Sequence, residues 1–570
     1  MCSSVTTTTE DWIRGEFTKR GFRVVGIDTR TFPQEAHHIV FVVPEQVNDA
    51  LVLGNQLQLP VSDGIDEFII VRQASSAMLE EELGSRPSSP IKSVHDPRCS
   101  ELINLVSARS RVSNAQPSLA YVPDARANLA AVTAARHHLV FGRRGAGKTA
   151  LLVEARQQLD SSGALTAWVN IQTFRRETPQ RVVLYVLNEM LSALLASRSV
   201  DERSQVAVSL ATLAGRVQAM LDADETSDRV VHDIVPRAQR VLRDYLATAS
   251  RPLFLFLDDF YYMPRANQPE VLDLLHGFTR DANVWLKVAS IKHLTRWWQT
   301  SPPMGLQSGQ DADLIDLDIT LQEPDQAKRF LEGVLLAFAQ KVGIMALSRV
   351  FRAEALDRLV VASGAVPRDY LVLATSAIGR AQRRENARLV GVQEVNQAAG
   401  DAAASKIQEL EEDMASNSGT ADTTLATLKA VRTFCLEREG FTYFLVRFRD
   451  REDRPADYNL LTDLMDVRLL HLVDAGVSDA HAAGHRSEAF VLDLSQYSGA
   501  RLKQKVRVLD FSAGHFVSRE TRSSAAPRIA RTTREFIALL RGAPTLELEW
   551  LRDQAEGTVT FPKIVRSSTT

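Results

Sequence analysis

The scarcest residue bears first on what this chain can be. Among 570 residues there are only three cysteines, Cys2, Cys99 and Cys435. They lie too far apart for a disulfide framework or for the close ligand pairs of a zinc site. A reducing, cytoplasmic compartment is therefore expected. The opening stretch, Met1 to Glu10, is polar and Thr-rich, without the basic start and apolar core of a signal peptide. No apolar run approaches the roughly 18 residues of a membrane helix, so no membrane partner is expected. Net charge is also slight, −3 from 67 Lys+Arg and 70 Asp+Glu. That balance gives no global pull toward nucleic acid, and any such affinity has to come from a local patch.

What is present is a soluble-protein composition, 45% hydrophobic and 24% charged, in a chain too long for one hydrophobic core. The stretch around which the rest is organised runs from His137 to Leu152. An apolar run, Leu139-Val140-Phe141, precedes Gly142-Arg143-Arg144-Gly145-Ala146-Gly147-Lys148-Thr149, and Ala150-Leu151-Leu152 continues it. The spacing is that of a phosphate-binding P-loop. The apolar run predicts a buried parallel strand. The glycines let successive N–H groups converge on phosphate oxygens at the positive end of the next helix. Lys148 then reaches the β and γ phosphates, and the Thr149 hydroxyl takes one Mg²⁺ position. ATP and Mg²⁺ are the cofactors this motif calls for.

About a hundred residues on, Pro252-Leu-Phe-Leu-Phe-Leu257 ends in Asp258-Asp259. Five apolar residues predict a central strand, and carboxylates at its C-terminal end lie where open α/β sheets bind ligands. The pair matches a Walker B pattern, with Asp258 holding Mg²⁺ through water and Asp259 polarising the attacking water. The lysine-bearing loop and the twin aspartates are expected on neighbouring strands, facing one Mg–nucleotide. Strands at Thr166 to Ile171, Val284 to Ala289 and Leu314 to Ile319 alternate with helices, which argues for a parallel sheet covered on both faces. Three helical stretches, about 178–197, 201–224 and 230–250, form a long insertion before the Asp258 strand.

The remaining chain divides by composition. Residues 1–75 read as a small α/β domain with Val-, Ile- and Phe-rich strands, suited to binding a protein partner; Asp28, Asp63 and Asp66 there read as solvated loop acids. Residues 76–118 turn to Ser, Pro, Glu and Arg, a linker or arm. Its Arg109 and Arg111 read as a solvated basic pair, or as contacts to a neighbouring subunit or a nucleotide phosphate. The ATPase core is placed at 119–322 and a helical lid at 323–416. Residues 423–499 give helices followed by a two-stranded hairpin, a winged-helix-like pattern. The tail, 500–570, is a basic segment with a helix. Between Arg501 and Arg541 it carries ten Lys or Arg against three acids, a footprint for phosphate or for an acidic subunit surface.

Together these pieces resemble the AAA+ ATPases of the origin-recognition and initiator type, over about Tyr121 to Gly499. The resemblance implies an α/β P-loop NTPase core with helical lid and winged-helix module, ATP hydrolysis and DNA binding. It places Tyr121 and Val122 on the adenine, unless they merely pack in the core. It places sensor 1 at Ser290, with His293 as the alternative, and sensor 2 at Arg368 in Gly364-Ala-Val-Pro-Arg368. A cation at that helix start is otherwise disfavoured by the helix dipole. Arg280 and Arg296 are candidates for an arginine finger in a homo-oligomer. The sequence departs from the family in Asp259, where glutamate is common, and in the long insertion. The related STAND ATPases, signalling switches with little turnover, supply a second reading. A kinase-type P-loop enzyme acting on a small molecule is a third, against which the lid and the Asp258-Asp259 pair argue.

Overall fold

The computed structural model describes residues 9–31, 35–43, 46–57, 59, 66–74, 91–114, 116, 121–123, 126–223, 228–414, 420–478, 485–498, 506–521 and 523–557. Asp63, the Arg86-to-Pro90 run, Arg501, Lys503, Lys505 and Arg522 lie outside the described residues. By contact the chain divides into two units, Met1–Ile91 with Ala339–Ala346, and Lys92–Phe338 with Leu347–Thr570. Among the described residues no helix is long and apolar enough to cross a membrane.

The first unit carries helices Thr9–Lys19 and Val47–Gln56 and strands β1 (Val24–Thr31), β2 (Glu35–Val42) and β3 (Asp66–Gln73). Its sheet order is β1-β2-β3, antiparallel and then parallel. The alternation Ala36, His38, Val40, Val42 puts every second β2 side chain inside, as period-2 patterning requires. Ile13, Phe17, Ala50 and Leu53 close that core from the helices. Asp28 is an exposed partner of Arg30 at 3.2 Å.

In the second unit five parallel strands form the central sheet: β4 (His137–Phe141), β5 (Leu165–Asn170), β6 (Leu253–Asp258), β7 (Val284–Ser290) and, after a short hairpin β8 (Trp298–Thr300) and β9 (Pro303–Gly305), β10 (Ala312–Asp316). Their order is β10-β4-β7-β6-β5. The expectation of neighbouring strands for the lysine loop and the twin aspartates is corrected here, because β7 lies between β4 and β6. Both strands still end on the same sheet edge, so the two motifs meet across it.

The apolar run of β6 explains the layering. Leu253, Leu255 and Leu257 point to one core, shared with helices Pro179–Ser197, Gln205–Leu221, Asp228–Ala249 and Gln268–Thr279. Phe254 and Phe256 point to the other, shared with Asn128–Thr133 and the P-loop helix Lys148–Ser161. A strand buried on both faces has no polar side to show, hence its unbroken hydrophobicity. Two of the insertion helices begin on side-chain caps: Thr178 accepts from Arg181 N at 3.4 Å and Ser204 from Ala207 N at 3.1 Å, satisfying otherwise orphan donors.

The stretch read from composition as an arm holds a helix, Pro97–Arg109. Asp96 caps it, accepting from Arg98 N at 3.1 Å, Pro97 occupies the first turn, and Cys99, Leu102 and Val106 are buried. The short spacing of these three among charged neighbours is what composition alone conceals. The lid follows as four helices, Pro324–Lys341, Ala353–Ala362, Pro367–Gln382 and Val392–Met414.

The winged-helix-like module begins with helix Thr420–Arg432, then β11 (Tyr443–Arg447), helices Phe448–Asp453 and Pro455–Asp466, and the hairpin β12 (Leu470–Ser478) and β13 (Arg486–Leu492). β13 lies between β11 and β12, antiparallel to both. Beyond it the tail folds into a second antiparallel sheet, β14 (Arg507–Ser512), β15 (His515–Glu520) and β16 (Arg528–Ala530), before helices Thr533–Leu540 and Leu548–Gly557. Part of its positive charge is spent internally: Arg507 pairs with Glu520 at 3.1 Å and Arg519 with Asp510 at 2.7 Å.

Candidate nucleotide site

At the C-terminal edge of the sheet the loop after β4 opens into a cavity of about 630 Å³. That volume is within the usual range for small-ligand sites. Gly145 and Gly147 take φ of +82° and +100°, a left-handed backbone that side-chain-bearing residues resist. The loop can therefore turn its N–H groups inward above the P-loop helix. Arg144, Gly145, Ala146, Gly147, Lys148, Thr149 and Ala150 line the cavity. Gly142 and Arg143 stand behind it.

The buried Lys148 ammonium donates to the carbonyls of Gly142 at 2.7 Å and Arg143 at 3.2 Å. Burial lowers its pKa, against the pull of Asp259, Asp318 and Asp258. The Thr149 hydroxyl donates to Asp258 Oδ2 at 2.9 Å. Asp258 is buried, and burial followed by the Asp259 charge pushes its carboxyl up to about 6. A hydroxyl and a carboxylate oxygen in contact at a phosphate loop fit Mg²⁺, which takes one or two such ligands and completes its shell with water and phosphate.

Asp259 lines the cavity in a left-handed conformation, φ +57°. Burial raises its carboxyl, while Lys148, hydrogen bonds from Asn170 and Tyr261, and Arg144 pull it back. Asn170 ends β5 in register with Asp258. Tyr261 lies under two cations, its ring centroid 5.5 Å from Arg144 Cζ and 6.0 Å from Lys148 Nζ. Sequence reasoning passed over both residues. A polar residue closing a buried strand, the signal that singled out Asp258, also marks Asn170. Asp318, two residues past the end of the half-exposed β10, carries no such signal. It accepts from Arg143 N at 2.8 Å and Nε at 3.3 Å, and Arg143 Nη2 donates on to Gly364 O at 3.2 Å.

The lid supplies the opposite wall. Pro367, Arg368 and Leu371 line the cavity, and Arg368 N donates to Gly145 O at 3.4 Å. Tyr121 and Val122 line it too, together with Leu317, Phe330 and Val334, an apolar end suited to a base. Ser290 is elsewhere: fully buried, its hydroxyl shares a 2.5 Å hydrogen bond with Thr295, and it does not line the cavity. His293 contacts Asp466 of the winged-helix-like module instead, and burial pushes its ring down to about 4. Arg280 and Arg296 are exposed.

A glycine loop on β4, an acidic strand end on β6 and a shared Thr–Asp contact define a P-loop nucleotide site. Residues 126–286 match the family model described as the AAA ATPase domain, and the chain carries an AAA+ P-loop ATPase domain. No curated protein matches the chain. Among solved structures it is similar to that of Drosophila ORC bound to DNA, at 14% identity, covering 80% of this chain and 98% of that one with a TM-score of 0.34. It is also similar to the Aeropyrum pernix Orc1 protein in complex with DNA, at 15% identity over 73% and 93% of the two chains, TM-score 0.31. Cdc6p from Pyrobaculum aerophilum shares 13% identity over 73% and 96%, TM-score 0.27.

Proposed function

We propose that the chain binds and hydrolyses Mg-ATP in this cavity and passes its nucleotide state through the lid to a C-terminal module that binds DNA or a DNA-bound partner. The Thr149–Asp258 contact carries this reading. Magnesium bound there supplies charge neutralisation for the phosphates. Lys148 binds the β and γ phosphates, and Asp259 accepts a proton from water, a role its raised pKa favours. Arg368 reports the γ-phosphate from the lid. Glutamate reaches one methylene further than Asp259, so turnover is slow. The N-terminal unit is read as a protein-binding module, and self-association of the chain as a partner of the ATPase cycle.

For DNA, the supporting feature is a cluster of exposed arginines, Arg528, Arg531 and Arg534, with no ion-pair partner among the described residues. Arg528 lies on β16 and Arg534 in the first turn of helix Thr533–Leu540, whose cap at the far end, Arg541, donates to Ser478 O of β12 at 2.6 Å. The decisive measurement is the ATPase rate alone and with duplex DNA. Stimulation by DNA supports the reading, and Lys148→Ala should abolish nucleotide binding. Neutralising the three arginines should flatten the log–log salt slope by about 0.9 per lost phosphate contact; an unaltered slope rules that cluster out.

A second reading, a STAND-like switch with little turnover and no DNA affinity, is favoured by a different observation. Helix Pro455–Asp466 contains no Lys or Arg, and its end is docked on the ATPase core through Asp466 and His293. ATP-dependent oligomerisation with negligible turnover and no DNA binding selects it.

A further inference from the structure

The Pro97–Arg109 helix and the residues after it form a strap with two anchors. On the lid side, Val94 N donates to Arg388 O at 3.0 Å and Gln382 Nε2 to Val94 O at 2.8 Å. The helix then runs along lid helix Pro367–Gln382, the one that carries Arg368 in its first turn. On the core side, Arg156 of the P-loop helix donates to Asn114 Oδ1 at 2.5 Å. Between these anchors the strap lines the nucleotide cavity with Arg109, Ser110, Arg111 and Val112.

Arg109 is half-buried and Arg111 exposed, and neither has an ion-pair or hydrogen-bond partner among the described residues. A cation in the last helical turn is favoured by the helix dipole, which accounts for Arg109 alone. Arg111 lies beyond the helix end, where that effect fades, and still lines the cavity. The other cavity cations are engaged: Lys148 with loop carbonyls, Arg144 with the Tyr261 ring, and Arg368, which also has interactions of its own. Two unneutralised guanidinium groups facing a phosphate loop suit an anionic ligand, because the planar fork of donors matches phosphate oxygens.

We infer that Arg109 and Arg111 bind the phosphate chain of the nucleotide, so that the strap is a wall of the site and the ligand ties lid to core through the Val94 and Asn114 anchors. This rests on the Mg-nucleotide reading above. The test is calorimetric titration of ADP and ATP, with Mg²⁺, into wild type, K148A, R109A/R111A and R109K/R111K over a range of salt. The alanine pair should bind about tenfold more weakly, the loss of one or two charge-assisted contacts, with a flatter salt dependence, and the lysine pair should recover most of the loss. Wild-type affinity in R109A/R111A, alongside lost binding in K148A, overturns the strap and leaves the nucleotide site standing. A lysine pair as weak as the alanine pair overturns the phosphate contact. No binding by wild type removes both readings. Should R109A/R111A melt early without nucleotide, R111A alone, at an exposed position outside the helix, decides between weakened and unchanged affinity in the same way.

Discussion

Thr149, in the first turn of the P-loop helix that follows β4, and Asp258, at the end of β6, stand 109 residues apart in sequence, yet the hydroxyl of one donates to the carboxylate of the other at 2.9 Å. The contact is possible because β4 and β6 both end at the sheet edge where ligands bind.

Asp258 should be a residue that costs the empty protein stability. Its folded carboxyl holds a proton to about 6 against an ordinary 3.8, so the folded state binds more protons than the unfolded one between those values. Stability conferred by the neutral acid is present at low pH and lost as pH rises through that window. Asp258→Asn is expected to raise the melting temperature at pH 7 by about 2–4 °C while removing the further rise that Mg-ATP gives wild type. Thermal scans with and without Mg-ATP measure both, and a lower melting temperature would contradict the assignment.

Lys148 and Asp259 should separate binding from chemistry. Asp259→Asn keeps the left-handed backbone, which asparagine tolerates, and is expected to lower turnover by about a hundredfold with ATP affinity little changed. Lys148→Ala should lose affinity itself. Equilibrium binding and steady-state turnover on both variants check the split; an Asp259→Asn protein that no longer binds ATP would make the acid structural.

Gly145 should tolerate no side chain. At φ +82° a Cβ would stand 2.9 Å from Arg368 Cβ and 3.1 Å from Val366 Cγ1, so alanine both strains the loop by about 1–2 kcal/mol and pushes the lid away. Gly145→Ala is expected to weaken nucleotide binding and to speed tryptic cleavage of the lid. Unchanged cleavage would mean that the lid does not rest on this glycine.

The lid is also latched from the other side. Arg468 pairs with Asp369 at 2.7 Å, and Lys406 donates to Arg468 O and to Asp493 at 3.0 Å each, all buried. Among the described residues, Arg468→Ala leaves Asp369 with Lys406, 3.7 Å away, as its cationic partner. Breaking a buried pair in this way costs about 3–5 kcal/mol, and the urea midpoint should fall accordingly. An unmoved midpoint would show that the latch contributes nothing.

Much of this was legible in the chain. The P-loop and the twin aspartates are short local patterns, and both lie at the strand ends expected for them. The three helices of the insertion, expected at about 178–197, 201–224 and 230–250, run over Pro179–Ser197, Gln205–Leu221 and Asp228–Ala249. What escaped depends on partners far away in sequence. Asn170 gains its meaning only from Asp259, and the Pro97–Arg109 helix from lid helix Pro367–Gln382, against which it packs. The tail sheet was hidden because β14 and β15 carry Arg507, Asp510 and Arg519, charges that look like a solvated segment until they pair: Arg507 with Glu520, Arg519 with Asp510, and Asp510 also with Arg358 of the lid at 2.8 Å.

The position of β4 in its sheet has a consequence for biosynthesis. Its two neighbours are β7 and β10, with His138 in register with Lys287 and His137 with Ala312. At translation speeds of about 5–20 residues per second, the strand that leads into the glycine loop waits roughly 7–30 seconds before either neighbour leaves the ribosome. Its Leu139-Val140-Phe141 run stays exposed for that interval, a target for chaperones while the nucleotide pocket does not yet exist.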